Sequence, residues 1–152
     1  MKSKIHIIAS ILATLCIATF FVSTVLVELF GSVESIVAVK NLIVMPGLFI
    51  LIPAIAITGG SGFALSSNRK GRLLENKKQR MPLIAANGIL VLVPSAIFLN
   101  QWAVAGTFDT RFYIVQCVEL AAGAINLMLI SQNMRDGLKL TGKLRPKKNQ
   151  SS

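Results

Sequence analysis

A chain of 152 residues that is 53% hydrophobic and only 14% charged, with mean hydropathy +0.67, lies outside the balance of ordinary soluble domains. Its formal net charge of +10 falls in the gaps and tails between apolar runs, with no base-stacking aromatics among the basic residues, which excludes nucleic acid as a partner and points to a lipid bilayer. The cysteines, Cys16 and Cys117, both lie inside apolar runs, so neither a disulfide framework nor a CxxC metal site is encoded.

The first predicted element is an apolar run from Ile5 to Val27, which follows the short basic start Met1 to Lys4 and reaches roughly 34 Å as a helix. It is longer than the apolar core of a signal peptide and ends in VELFGS without a small-x-small site, so it reads as an uncleaved spanning helix. Leu15 before Cys16 is too bulky for a lipidation site. From Glu28 to Lys40, polarity rises and Gly31 and Ser32 punctuate, predicting an outer connection with a short amphipathic piece near the interface.

The second span covers about 41–65, with Pro46 near its start and Pro53 near its middle, where a missing donor should kink the helix. Its Thr58-Gly59-Gly60-Ser61-Gly62 stretch is nearly free of side chains, so Gly59, Gly60 and Gly62 are expected to pack closely on neighbours. Residues 66–81, SSNRKGRLLENKKQRM, form a basic cytoplasmic loop. A third span follows over about 82–103, entered at Pro82, interrupted at Pro94 and ending near Trp102. A tight outer turn then leads into the fourth span, about 112–132, and a basic tail begins after Asn133.

The expected fold is therefore all-α: a polytopic membrane protein with four transmembrane helices in an up-down bundle over 1–133, then a basic cytoplasmic tail over 134–152. Fourteen cationic residues fall on one side of that layout, two at the N-terminus, six in the middle loop and six in the tail, against Lys40 and Arg111 on the other. Such a bias predicts cytoplasmic termini in a bacterial inner membrane.

The fourth span holds the chemistry. Gln116, Glu119, Gly123 and Asn126, with Asn133 beyond, follow one another at intervals of three, four, three and seven, which is one helical face. Ile114, Val118, Ala121, Ile125 and Leu129 occupy the opposite face. By depth, Glu119 shares an outer level with Thr19 and Ser95, while Asn126 shares an inner one with Asn87, Thr58 and Ser10. No Lys or Arg is expected near the bilayer centre to neutralise Glu119, so it should either stay protonated or titrate there. Gln116, Asn126, Asn87, Thr19, Ser95 and Thr58 then serve as amide and hydroxyl helpers for a proton or a cation, and Pro53 and Gly123 belong with the packing positions. No catalytic residue is assigned, because no histidine accompanies a membrane-embedded serine or cysteine. No metal or cofactor is assigned either: Met45, Met81, Met128 and Met134 lie at different depths, and His6 is the only histidine.

The histidine at the head of the first span in KIHIIASIL, the proline-then-glycine second span ending AITGGSGFAL and the basic loop before the third give the chain a layout that resembles small bacterial four-helix integral membrane proteins of unknown function, similar in layout to the copper-resistance D membrane domain. That resemblance implies a four-helix membrane domain; the further metal-type ligands of the family have no counterpart here, so it implies no copper site. Small multidrug exporters offer an analogy in their single intramembrane glutamate, although theirs lies in the first helix. The readings carried forward are proton- or cation-linked transport or sensing around Glu119, an accessory subunit of a larger membrane complex, and a redox subunit that shares a haem through His6 with a second copy or a partner. The bilayer, a second copy or a membrane complex are the expected partners.

Overall fold

The computed structural model describes residues 2–66 and 72–140, and among these there is no strand. Four helices are long and apolar enough to cross a membrane, Lys4–Phe30, Val33–Ala64, Lys78–Val104 and Thr110–Lys139, with mean hydropathy between 1.7 and 2.4. Helix α1 spans Lys2–Phe30. It ends where the Gly31 N–H donates to the Val27 carbonyl at 2.9 Å; a Cβ on Gly31 would lie 2.6 Å from that oxygen, so glycine alone closes this end without a clash. Ser32 then caps α2 (Val33–Leu42), its hydroxyl accepting from the Ser35 N–H at 3.3 Å.

The expected interfacial connection over 28–40 is thus corrected. Only Gly31 and Ser32 separate two helices, and the amphipathic piece is the first part of the second span.

That span is broken elsewhere than predicted. Helix α3 (Phe49–Ser66) runs through Pro53 without interruption, whereas a π-type turn over Ile43–Leu48 contains Met45 at φ −135° and ψ 113°, just before Pro46. A proline ring pushes the residue before it out of the helical region, and Met45 has yielded to that push. In the third span, α4 (Arg72–Asn87) starts inside the basic segment, so Pro82 lies within a helix rather than in its first turn. A second π-type turn over Gly88–Leu92 precedes Pro94, which becomes the second residue of α5 (Val93–Val104). The wider turn that contains Pro46 and the one that precedes Pro94 fall where a proline removes a backbone donor.

Gly106, at φ +71°, turns the chain toward α6 (Thr110–Leu140). The Asp109 carboxylate accepts the Phe112 N–H at 3.1 Å and caps it. Helix α6 continues seven residues past the expected boundary at 133.

Consecutive spans run antiparallel. His6 of α1 meets Thr58 and Ser61 of α3, Phe20 lies over Gly47, Arg80 of α4 meets Asp136 of α6, and Asn87 meets Asn126. The 31–32 and 105–109 turns share one end, termed here the outer end. Two apolar clusters fill the interior. One, nearer the outer end, joins Ile36, Leu99, Ala103 and Phe112, with Phe108 edge-on to Phe112 at 4.8 Å. The other, deeper, joins residues such as Ile17, Ile43, Leu51, Ala54 and Ala96. Large apolar side chains including Leu29, Phe30, Phe49, Phe63 and Leu90 face outward, so the surface is as apolar as the core.

Candidate functional site

Between the two apolar clusters lies a layer of charge. On α2 the inward positions are Ile36, Lys40 and Ile43, so the helix that carries the upper cluster must also carry a lysine inward before it reaches the lower one. Lys40 is fully buried, and its Nζ lies 2.8 Å from Glu119 Oε2. Glu119 itself is nearly buried, and the same oxygen accepts the Gln116 Nε2–H at 3.0 Å. Lys40 stands seven residues into α2 and Glu119 nine into α6, which places the pair about 10 to 14 Å below the outer helix ends.

The expectation that no cation reaches Glu119 is therefore overturned. A glutamate and a lysine each pay a large penalty to leave water, and an ion pair at 2.8 Å with an amide on the same oxygen offsets much of it. By sequence Lys40 belongs to the outer connection, because a charge lowers local hydropathy. Its place on the Ile36, Lys40, Ile43, Gly47 face, at spacings of four, three and four after a Ser32 cap, was the signal available.

A second carboxylate belongs to the layer. Glu28, on α1, is half-buried, lies within electrostatic range of both Lys40 and Glu119, and has an Oε1 that is buried with no hydrogen-bond partner. One turn below it, Thr24 is buried on the same face and lines a cavity of about 40 Å³ together with Glu119, Gly123, Ile17, Phe20 and Leu48. A space of that size holds a water or a similarly small species beside the Glu119 carboxylate. Sequence reasoning passed over both Glu28 and Thr24.

The remaining expected helpers distribute as follows. Gln116 is buried on Glu119, as the stripe implied. Asn126 is fully buried and meets Asn87, whose Nδ2 donates to Asn126 Oδ1 at 3.0 Å and to the Ala122 carbonyl at 2.8 Å; Asn126 Nδ2 points to the Ile84 carbonyl at 3.4 Å. This amide clasp ties α4 to α6 below the charge layer. Thr58 does not join it: its hydroxyl donates to the Ala54 carbonyl, and its own carbonyl and Ser61 Oγ both contact His6 Nδ1, at 3.2 and 3.0 Å. Ser95 is buried in α5. Thr19 is exposed, because the inward face of α1 runs through Ala9, Ala13, Ile17 and Thr24; Thr19 does not reach Glu119.

Among the expected packing glycines, Gly62 is buried, and a Cβ there would sit 3.0 Å from the His6 ring and 2.0 Å from the Met81 methyl. Gly123 packs under Phe21. A Cβ at Gly59 or Gly60 would meet none of the described residues within 4 Å, and Pro53 is exposed. Gly47, close beneath the Phe20 ring, was not anticipated as a packing position. Among the described residues, no group of three or more His, Cys, Asp or Glu side chains gathers as a metal site.

No family model, curated protein or solved structure matches this chain.

Proposed function

We propose that this is a four-pass protein of a bacterial inner membrane, with both termini cytoplasmic, in which the layer around Glu119 supports proton-linked or cation-linked transport or sensing. The carrying observation is the buried Lys40–Glu119 pair beside a small cavity. A charge pair at that depth is expensive to keep unless it does something that leucines cannot, and intramembrane ionisable groups are functional candidates for that reason. The topology reading gains from the burial of Lys40, which leaves Arg111 as the single cationic residue at the outer end, against fourteen that the sequence carries in its N-terminal start, middle segment and tail. The test is flux and ligand binding in proteoliposomes. Glu119→Gln is expected to abolish coupled proton or cation movement, and unchanged flux together with unchanged ligand binding ends this reading.

A second reading, an accessory subunit or a homo-oligomer, is favoured by the open face at Gly59 and Gly60, where another helix can approach closely. It predicts that Gly60→Leu releases a larger assembly to monomer under gentle extraction. Recovery of the wild type only as a free monomer ends it.

A further inference from the structure

The charge layer holds two carboxylates and one ammonium, and its spare hydrogen-bonding atoms are all of one kind. Lys40 and Glu119 neutralise each other at 2.8 Å. Left over are Glu28 Oε1 and Gln116 Oε1, both buried and both without a partner. Gln116 is only 3% exposed, and its amide orientation is determined: Nε2 must face Glu119 Oε2, since the reverse would bring two oxygens together. Its carbonyl oxygen is therefore an acceptor without a donor. A buried acceptor left in that state costs the desolvation of the group, and an extra ionised carboxylate costs more. A proton on Glu28 removes the excess negative charge and adds a donor to a layer whose spare atoms are acceptors. A proton needs only one acceptor, whereas a hard divalent cation needs a shell of about six or more oxygens.

We propose that Glu28 is a second functional carboxyl of this site and that one exchangeable proton is shared between Glu28 and Glu119, with Lys40 always paired to whichever of the two lacks it. In the described arrangement Lys40 is on Glu119 and Glu28 holds the proton. In the alternative the proton leaves Glu28 and resides on Glu119, the ammonium crosses from Glu119 to Glu28, and the set keeps one proton and zero net charge throughout. Lysine suits this task because its head is a compact charge on a flexible stem. The titratable groups facing one another are Glu28 from α1, Lys40 from α2 and Glu119 from α6; α3 and α5 carry none. The consequence is mechanical as well as electrical, since moving Lys40 exchanges a tie between α2 and α6 for one between α2 and α1. Two apolar clusters above and below the layer confine the exchange to these three groups.

This inference rests on the reading of the Glu119 layer as a proton site, yet it is tested without any flux measurement. The experiment is infrared spectroscopy of the full chain in liposomes at neutral pH, reading the carbonyl band of a protonated carboxylic acid and its shift in heavy water. The other four side-chain carboxylates lie outside the layer: Glu34, Glu75 and Asp109 are exposed, and Asp136 is paired with Arg80. Wild type is expected to show one such band, retained in Glu28→Asp and lost in Glu28→Gln. It is also lost in Glu119→Gln, where Lys40 moves to Glu28, and grows about twofold in Lys40→Met, where both carboxyls take a proton. Absence of the band from wild type, its survival in Glu28→Gln, or its survival in Glu119→Gln overturns the proposal. The full band pattern with flux untouched by Glu119→Gln would retire transport while leaving the shared proton in place; flux lost with no band would do the reverse.

Discussion

Two polar layers cross this bundle, and they are built to opposite standards. The deeper one, Asn87 and Asn126 with the Ile84 and Ala122 carbonyls, is a closed set in which every side-chain amide nitrogen has an acceptor. The outer one, Glu28, Lys40, Gln116 and Glu119, carries an ion pair but leaves two buried acceptors without donors. A closed neutral set fastens helices and has no reason to change. An open, charged set gains from taking up a small species, so the difference separates fastening from function within one fold.

The comparison is broken most severely at Lys40. Replacing it with Met strands Glu119, and removing one partner of a buried pair costs about 3 to 5 kcal/mol, to be read as lost unfolding stability in detergent. Asn126→Leu should cost less, about 1 to 2 kcal/mol, because the deeper set loses two hydrogen bonds but no charge. Its flux should equal that of wild type, and a transport defect there would erase the distinction between the layers. Gln116→Leu should shift stability by less than about 1 kcal/mol, since the lost donor to Glu119 is offset by removal of an orphaned acceptor. It should nevertheless alter flux or ligand affinity. The smallest effect belongs to Arg80→Gln at the inner end. Asp136 is buried, but Arg80, 2.8 Å from it, is about a quarter exposed and glutamine keeps a donor for the carboxylate, so a loss below about 1 kcal/mol is expected, smaller in high salt.

Much of the fold was legible because lipid-length apolar runs are an unusually direct signal. The stripe from Gln116 through Glu119 to Asn126 was legible too, since α6 carries polar residues on one face only, and the level shared by Asn87 and Asn126 is the level at which they meet. Thr19 failed for a physical reason. Helix α1 is apolar all round, so its pattern does not say which face turns inward, and the structure turns Thr24 there instead. Lys40 failed because its partner lies 79 residues away, and no local period reveals a neutralising charge at that distance. Pro53 and Pro46 are both visible as helix breakers, but the sequence does not distinguish them, and the chain breaks at Met45 and Pro46. The glycines divided similarly: Gly47 and Gly62 lie under neighbouring side chains while Gly59 and Gly60 lie on the open side of the same helical hairpin.

The central claim is that Lys40 and Glu119 act as one buried charged unit, and a double-mutant cycle tests it most directly. Unfolding stability is measured for wild type, Lys40→Met, Glu119→Leu and the double variant in the same detergent. The predicted result is that Lys40→Met loses about 3 kcal/mol or more, Glu119→Leu loses less because Glu28 takes up the lysine, and the double variant loses clearly less than the two single losses summed, a strong coupling between the sites. Single-variant losses that simply add in the double variant would contradict the pair.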